Sequence, residues 1–146
     1  MQKEALISQK FYHLWCDKGS GSRTTVGYFS DFELIQYSNP VPEYHFRDLP
    51  KVNRTEFAIL PPGWESDFHS TPSPQWVITL AGQWRTTTRD GVVVTYKPGD
   101  VHFGGDVPTK EMAVNQQGHC TINPSEKEPA KLLILGVDSL LSVPEG

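Results

Sequence analysis

The chain predicts an all-β domain, a sandwich or barrel of roughly ten short strands. Three observations carry this. Short apolar and β-branched runs recur, clearest at residues 75–80, 92–96 and 131–137. Tight-turn signals separate them, among them Asp90-Gly91 and Pro98-Gly99-Asp100. Glycine and proline number 12 each, which suits many strands joined by turns better than helices.

Taken in order, residues 1–10 are polar and read as a short helix or a frayed tail. Residues 11–16 are aromatic-rich and read as a strand, followed by the flexible turn Gly19-Ser20-Gly21-Ser22. Residues 24–29 and 33–37 alternate as strands do, and Asn39-Pro40-Val41-Pro42 breaks them. Residues 44–53 mix aromatics, charges and Pro50, which predicts a loop or arm over the barrel. A strand at 56–60 is stopped by Pro61-Pro62-Gly63. A meander follows: 75–80, the Thr-rich 83–89, the turn at Asp90-Gly91, 92–96, then Pro98-Gly99-Asp100 and a strand at 101–104. Residues 106–117 read as a loop, 119–122 as a strand, 123–130 as a charged connection, 131–137 as a last apolar strand and 143–146 as a tail. The expected organisation is one structural domain, with 1–55 as N-terminal strands and an arm packed on a core barrel of residues 56–140.

A length of 146 residues is enough to bury a core without staples. The net charge of -4, with no basic block, argues against a nucleic-acid partner. No apolar run approaches the ~20 residues of a membrane span, and no secretory signal is visible, so the expected location is cytoplasmic. Cys16 and Cys120 lack metal-ligand spacing and suit a reducing compartment. Asn53-Arg54-Thr55 matches a glycosylation sequon, read here as chance.

The spacing Gly63-x5-His69-x-Thr71-x3-Gln75-x6-Gly82, followed by Pro98-Gly99-Asp100-Val101 and Gly118-His119-Cys120-Thr121, resembles the motifs of small single-domain cupins. That resemblance spans roughly residues 56–137. It implies an RmlC-like cupin jelly-roll barrel, also called a double-stranded β-helix. Departures from the family pattern bear on chemistry. Thr71 stands where the first motif has a second histidine, and Gln75 where it has a glutamate. Counted from Gly99, the second motif's Pro, Gly and His places hold Gly105, Val107 and Lys110. The resemblance therefore implies an altered metal set of His69, Gln75 and His119, with Asp67 and His102 ranked behind them. Such nitrogen and oxygen donors suit iron(II), nickel, manganese or zinc.

From the residues themselves, Glu65-x-Asp67-x-His69 would put three side chains on one face if extended, able to bind a divalent ion or move protons. Glu65 is expected to be solvated there. His102 faces away from the site if Val101 and Phe103 face the core, and joins it if the alternation runs the other way. His13 and His45 lack motif support and are expected at the surface or in loops. Lys110 is expected to be a solvated loop lysine, able to read an anionic substrate. Trp76, Trp84, Tyr96 and Phe103 are candidate lining for a substrate pocket, with Arg85 as a partner for a substrate carboxylate.

Three functions follow as expectations. The first is a metal-dependent small-molecule enzyme of oxygenase, isomerase or lyase type. The second is a metal-free enzyme using His69 as general acid/base. The third is a non-catalytic ligand-binding or sensor domain. A homodimer is expected, with the N-terminal segment covering or exchanging a sheet edge.

Overall fold

A computed structural model describes residues 6–144. It is almost wholly β. The strands are β1 (Gln9–Asp17), β2 (Gly21–Phe29), β3 (Glu33–Ile35), β4 (Glu43–His45), β5 (Val52–Leu60), β6 (Gln75–Ala81), β7 (Trp84–Thr88), β8 (Val93–Tyr96), β9 (Val101–Gly104), β10 (His119–Ile122) and β11 (Ala130–Val137). The helical element among them is a short 3-10 turn, Val114–Gln116.

Two sheets enclose the centre. One runs β2-β1-β9-β6-β11-β5 and the other β10-β7-β8. Bridges from Glu65 to Ile122 and from His69 to His119 place the segment 65–69 as a fourth, broken member beside β10. The resulting orders, β5-β11-β6-β9 against 65–69-β10-β7-β8, are those of an eight-stranded jelly roll. The fold is thus a cupin-type double-stranded β-helix. β1 and β2 extend the first sheet beyond β9, with β1 pairing parallel to it.

Alternation along the strands creates two cores, one on each face of the large sheet. Inside the barrel, Val77, Ala130 and Leu132 pack against Trp84, Val94 and Tyr96 from the smaller sheet. On the outer face, Phe11, Trp76, Phe103 and Val137 are buried, and Phe29 covers them. Phe46, just beyond the β3-β4 hairpin, packs on Phe29 with ring centres 4.7 Å apart. Of the residues expected to form a loop or arm, 44–45 belong to β4 and 52–53 to β5, and the stretch 46–51 between them runs with Phe46 packed on the outer face of the sheet.

Several expectations change. Of the N-terminal part, β1 and β2 are members of the main sheet, and the boundary drawn at 55 falls inside β5. β5 begins at Val52 because β11 continues to Val137 and supplies it with partners. β1 pairs along β9 and covers that edge of the barrel sheet, while β5 is the opposite edge, with Phe57 and Ile59 exposed at 78% and 60%. The predicted helix or tail at 1–10 becomes strand at Gln9 and Lys10, while 1–5 lie outside the described residues. No helix among the described residues is long and apolar enough to cross a membrane.

His13 is not at the surface. It sits on the outer face of β1, 5.6 Å from the Phe103 ring centre, and is buried. Desolvation pushes its imidazole down to about 4, partly opposed by the charge of Asp106. An unfolded chain would take up that proton near ~6.5. Between those values the unfolded state binds more protons than the native one, so stability falls as pH drops through this window. Lowering the pH to about 5 should cost about 2 kcal/mol through this group. Urea unfolding at pH 7 and pH 5 measures it, and His13→Gln should shrink the difference by about that amount, leaving the share of the buried His102.

Candidate functional site

The barrel interior holds a cavity of about 180 Å³ that His69, Gln75, His102 and His119 all line. Trp64, Thr71, Trp84 and Thr121 contribute to its polar and aromatic wall, and Val77, Leu132 and Ile134 to its apolar one. Four of the residues singled out by motif spacing therefore converge.

His119 opens β10, where inward residues alternate with Cys120 and Ile122. Its Nδ1 lies 2.5 Å from Oδ2 of Asp106, a carboxylate with no exposed surface. The other carboxylate oxygen, Oδ1, accepts from the Thr71 hydroxyl at 2.7 Å. A carboxylate only accepts, so His119 carries its proton on Nδ1 and leaves Nε2 as the basic nitrogen of a ring lining the cavity. Thr71 thus has a definite task at the place where a second histidine was looked for: it holds Asp106.

His69 is exposed at the cavity mouth, its ring centre 4.7 Å from that of His119. Their backbones are joined both ways at 2.9 Å. Gly118 makes that approach possible: its φ is +80°, and a Cβ there would come within 2.6 Å of the His69 carbonyl. His69 Nδ1 donates to the Asp67 carbonyl at 2.9 Å. The expected Glu65-Asp67-His69 face does not form, because the segment pairs only at Glu65 and His69 and is otherwise irregular. Asp67 offers its backbone, not its carboxylate.

His102 faces the cavity from β9 while Phe103 faces the outer core, so both are buried. The choice between core and site was a false one, because each face of the sheet is covered. His102 Nδ1 meets the Tyr96 hydroxyl at 2.8 Å, and that hydroxyl meets Thr86 at 3.2 Å. Burial holds the imidazole well below its usual range, with His119 and His13 acting the same way, and raises the Tyr96 hydroxyl. Both stay uncharged. Trp84 stacks on Tyr96 with ring centres 4.1 Å apart and donates from Nε1 to Thr79 at 2.8 Å.

Gln75 reaches the cavity, but its Oε1 accepts from the Arg54 guanidinium at 2.6 Å. Arg54 and Gln75 flank Gly136 across three adjacent strands, and a Cβ on Gly136 would come within 2.9 Å of Arg54. The gap above Gly136 lets the arginine cross. In the expected His69–Gln75–His119 donor set, the Gln75 oxygen is thus occupied by a cation. Among the described residues, no three His, Cys, Asp or Glu side chains are placed to hold an ion.

The aromatic expectations divide by alternation. Trp84 lines the cavity and Tyr96 lies behind it, buried against His102. Trp76 and Phe103 belong to the outer core instead, since Gln75 and Val77 take the inward positions of β6, and His102 and Gly104 those of β9. Arg85 points outward between the inward Trp84 and Thr86, and donates from Nε to Thr95 at 3.0 Å. Asp106 and Arg54 were missed. The available signal for Asp106 was a carboxylate between Gly105 and Val107, two of the places counted in the second motif.

No family model and no curated protein matches the chain. Solved structures similar to it include a cupin-superfamily sugar phosphate isomerase from Silicibacter pomeroyi, 22% identical over 58% of this chain and 50% of that one, TM-score 0.41. Others are a Cupin 2 conserved barrel domain protein from Salinispora arenicola (21% identity, 64% and 71% coverage, TM-score 0.43) and a cupin domain from Bordetella pertussis (20%, 62% and 93%, 0.41). The match thus spans half the length of the isomerase. The strand order, not these likenesses, establishes the barrel.

Removing His119 would leave Asp106 buried with Thr71 as its remaining partner. His119→Phe should cost about 3 kcal/mol for the unpaired charge. Adding Asp106→Asn should recover most of it. A double-mutant cycle by urea unfolding would show coupling between the two positions of more than about 1 kcal/mol.

Proposed function

We propose that this cupin barrel is a small-molecule enzyme acting by proton transfer, with His119 as general base and acid and Asp106 as the group that orients it. The observation that carries this is the 2.5 Å contact between His119 Nδ1 and a fully buried carboxylate, on a ring that lines a cavity. The carboxylate fixes the tautomer, aims Nε2 and stabilises the imidazolium formed when Nε2 takes a proton. The imidazolium then returns that proton to another atom of the substrate or to water, which restores the resting pair.

His102, held neutral and lining the cavity, offers a hydrogen bond to a substrate oxygen that gains negative charge as the proton leaves, while Tyr96 behind it fixes the ring through Nδ1. Trp84 and Trp64 give flat apolar surface against which a small substrate can lie. His69 stands at the mouth, in contact with both solvent and His119, and is suited to pass protons between them. The reading keeps the metal-free mechanism but moves its base from His69 to His119. Isomerisation, epimerisation and elimination next to a carbonyl all have this requirement, a base facing a carbon acid and a donor facing the developing oxyanion.

The test is carbon-bound proton exchange. A panel of small hydroxy- and keto-acids and phosphorylated sugars is incubated with the protein in D2O and followed by proton NMR. Exchange should appear for at least one compound class, fall about 10²–10⁴-fold in His119→Asn, and survive prior treatment with a chelator. Exchange abolished by the chelator and restored by a divalent ion would favour a metal-dependent site. Saturable binding of these compounds without exchange would favour a non-catalytic module.

A further inference from the structure

A second, larger cavity of about 470 Å³ opens on the outer side of His69. His69 lines both this cleft and the barrel cavity, so one side chain forms the threshold between them. The cleft's apolar surface comes from Phe68, Pro108 and Val114, and Lys110 is the charged residue on its wall. Among the described residues no carboxylate lines it, in a chain whose net charge is -4. Lys110 has no ion-pair partner among the described residues, and its neighbour Glu111 is taken by Lys18 at 2.8 Å. A second cation touches two of the lining residues: the Arg89 guanidinium packs 3.7 Å from the centre of the Phe68 ring and donates to the Gln117 carbonyl.

The loop that carries Lys110 is held in place. The buried Gln117 side chain accepts from the Thr109 amide at 2.9 Å, and donates to the Thr109 carbonyl at 2.9 Å and the Met112 carbonyl at 2.7 Å. Three bonds from one amide group pin the backbone on either side of Lys110. The cation is thus presented over an apolar floor by a fixed loop, at the entrance to the histidine-lined cavity. That is how a site recognises a ligand with an apolar body and an anionic end.

We propose that the cleft is the outer subsite of the same active site and takes the anionic end of an amphipathic substrate, a carboxylate or phosphate on an apolar group. Its apolar part lies on Phe68 and Val114, its anion meets Lys110 in the field of Arg89, and the reacting end passes His69 to reach His119. The inference rests on the proton-transfer reading for which end reacts, but not for the binding itself.

Phenyl phosphate is the probe, with inorganic phosphate and phenol as its separated halves, titrated calorimetrically into the full chain. Phenyl phosphate should bind at least tenfold more tightly than either half. Lys110→Ala should weaken it at least tenfold, Lys110→Arg should restore most of the loss, and Val114→Asp should weaken it comparably. Both positions are exposed, so these variants should fold, and amide NMR spectra check that they do. Phenyl phosphate should also shift the amides of Phe68 and Ser70. Failure of the ligand to bind at millimolar concentration, or binding indifferent to both Lys110→Ala and Val114→Asp, overturns the proposal. His119→Asn separates the two readings. Binding unchanged in that variant, without proton exchange in the native protein, would sink the catalytic reading and leave the subsite standing.

Discussion

A carboxylate without solvent is the constraint around which this site is arranged. Burying an ionised group is costly unless charge or hydrogen bonds compensate it. Asp106 is compensated on both oxygens, by Thr71 and by His119. Meeting that need brings together three separate parts of the chain: the irregular segment after β5, the loop after β9 and the start of β10. The backbone follows suit, since the Thr71 amide also donates to the Asp106 carbonyl at 3.2 Å, and His69 and His119 exchange backbone bonds beside it. Gly118 is the local concession that lets these segments close.

Much of the fold was legible because its signals are local. Asp90-Gly91 and Pro98-Gly99-Asp100 mark turns by their own conformational preferences, and the strands between them follow within a residue or two. Motif spacing pointed to His69, Gln75 and His119, and all three line the cavity, whereas His102 had been left open between the two faces of its strand. What the residues do was not legible. Asp106 looked like one more loop residue, and its meaning lies in partners 35 and 13 positions away. Gln75 looked like a weakened ligand until Arg54, 21 residues earlier, was seen to hold it. Gly136, which has no side chain at all, is what makes that contact possible.

Face assignment failed for a different reason. A half-buried sheet has one apolar side, and alternation then tells inside from outside. Here Trp76 and Phe103 are as buried as Val77 and His102. The outer face of the sheet is covered by its own aromatic cluster, with Phe11, Phe29 and Phe46 over Trp76 and Phe103. Trp76 and Phe103 thus signalled a second core and not the barrel cavity.

That double-sided sheet has a consequence for how the molecule can change. Neighbouring residues of β6 and β9 answer to different masters: Gln75 and Val77 to the cavity, Trp76 to the aromatic layer, His102 to Tyr96, Phe103 to Trp76. A substitution that reshapes the cavity leaves the opposite layer in register, and repacking of that layer leaves the histidines where they are. The cavity wall can therefore change on one side while the packing that holds the sheet is maintained on the other, a division of inheritance written residue by residue along the same strand.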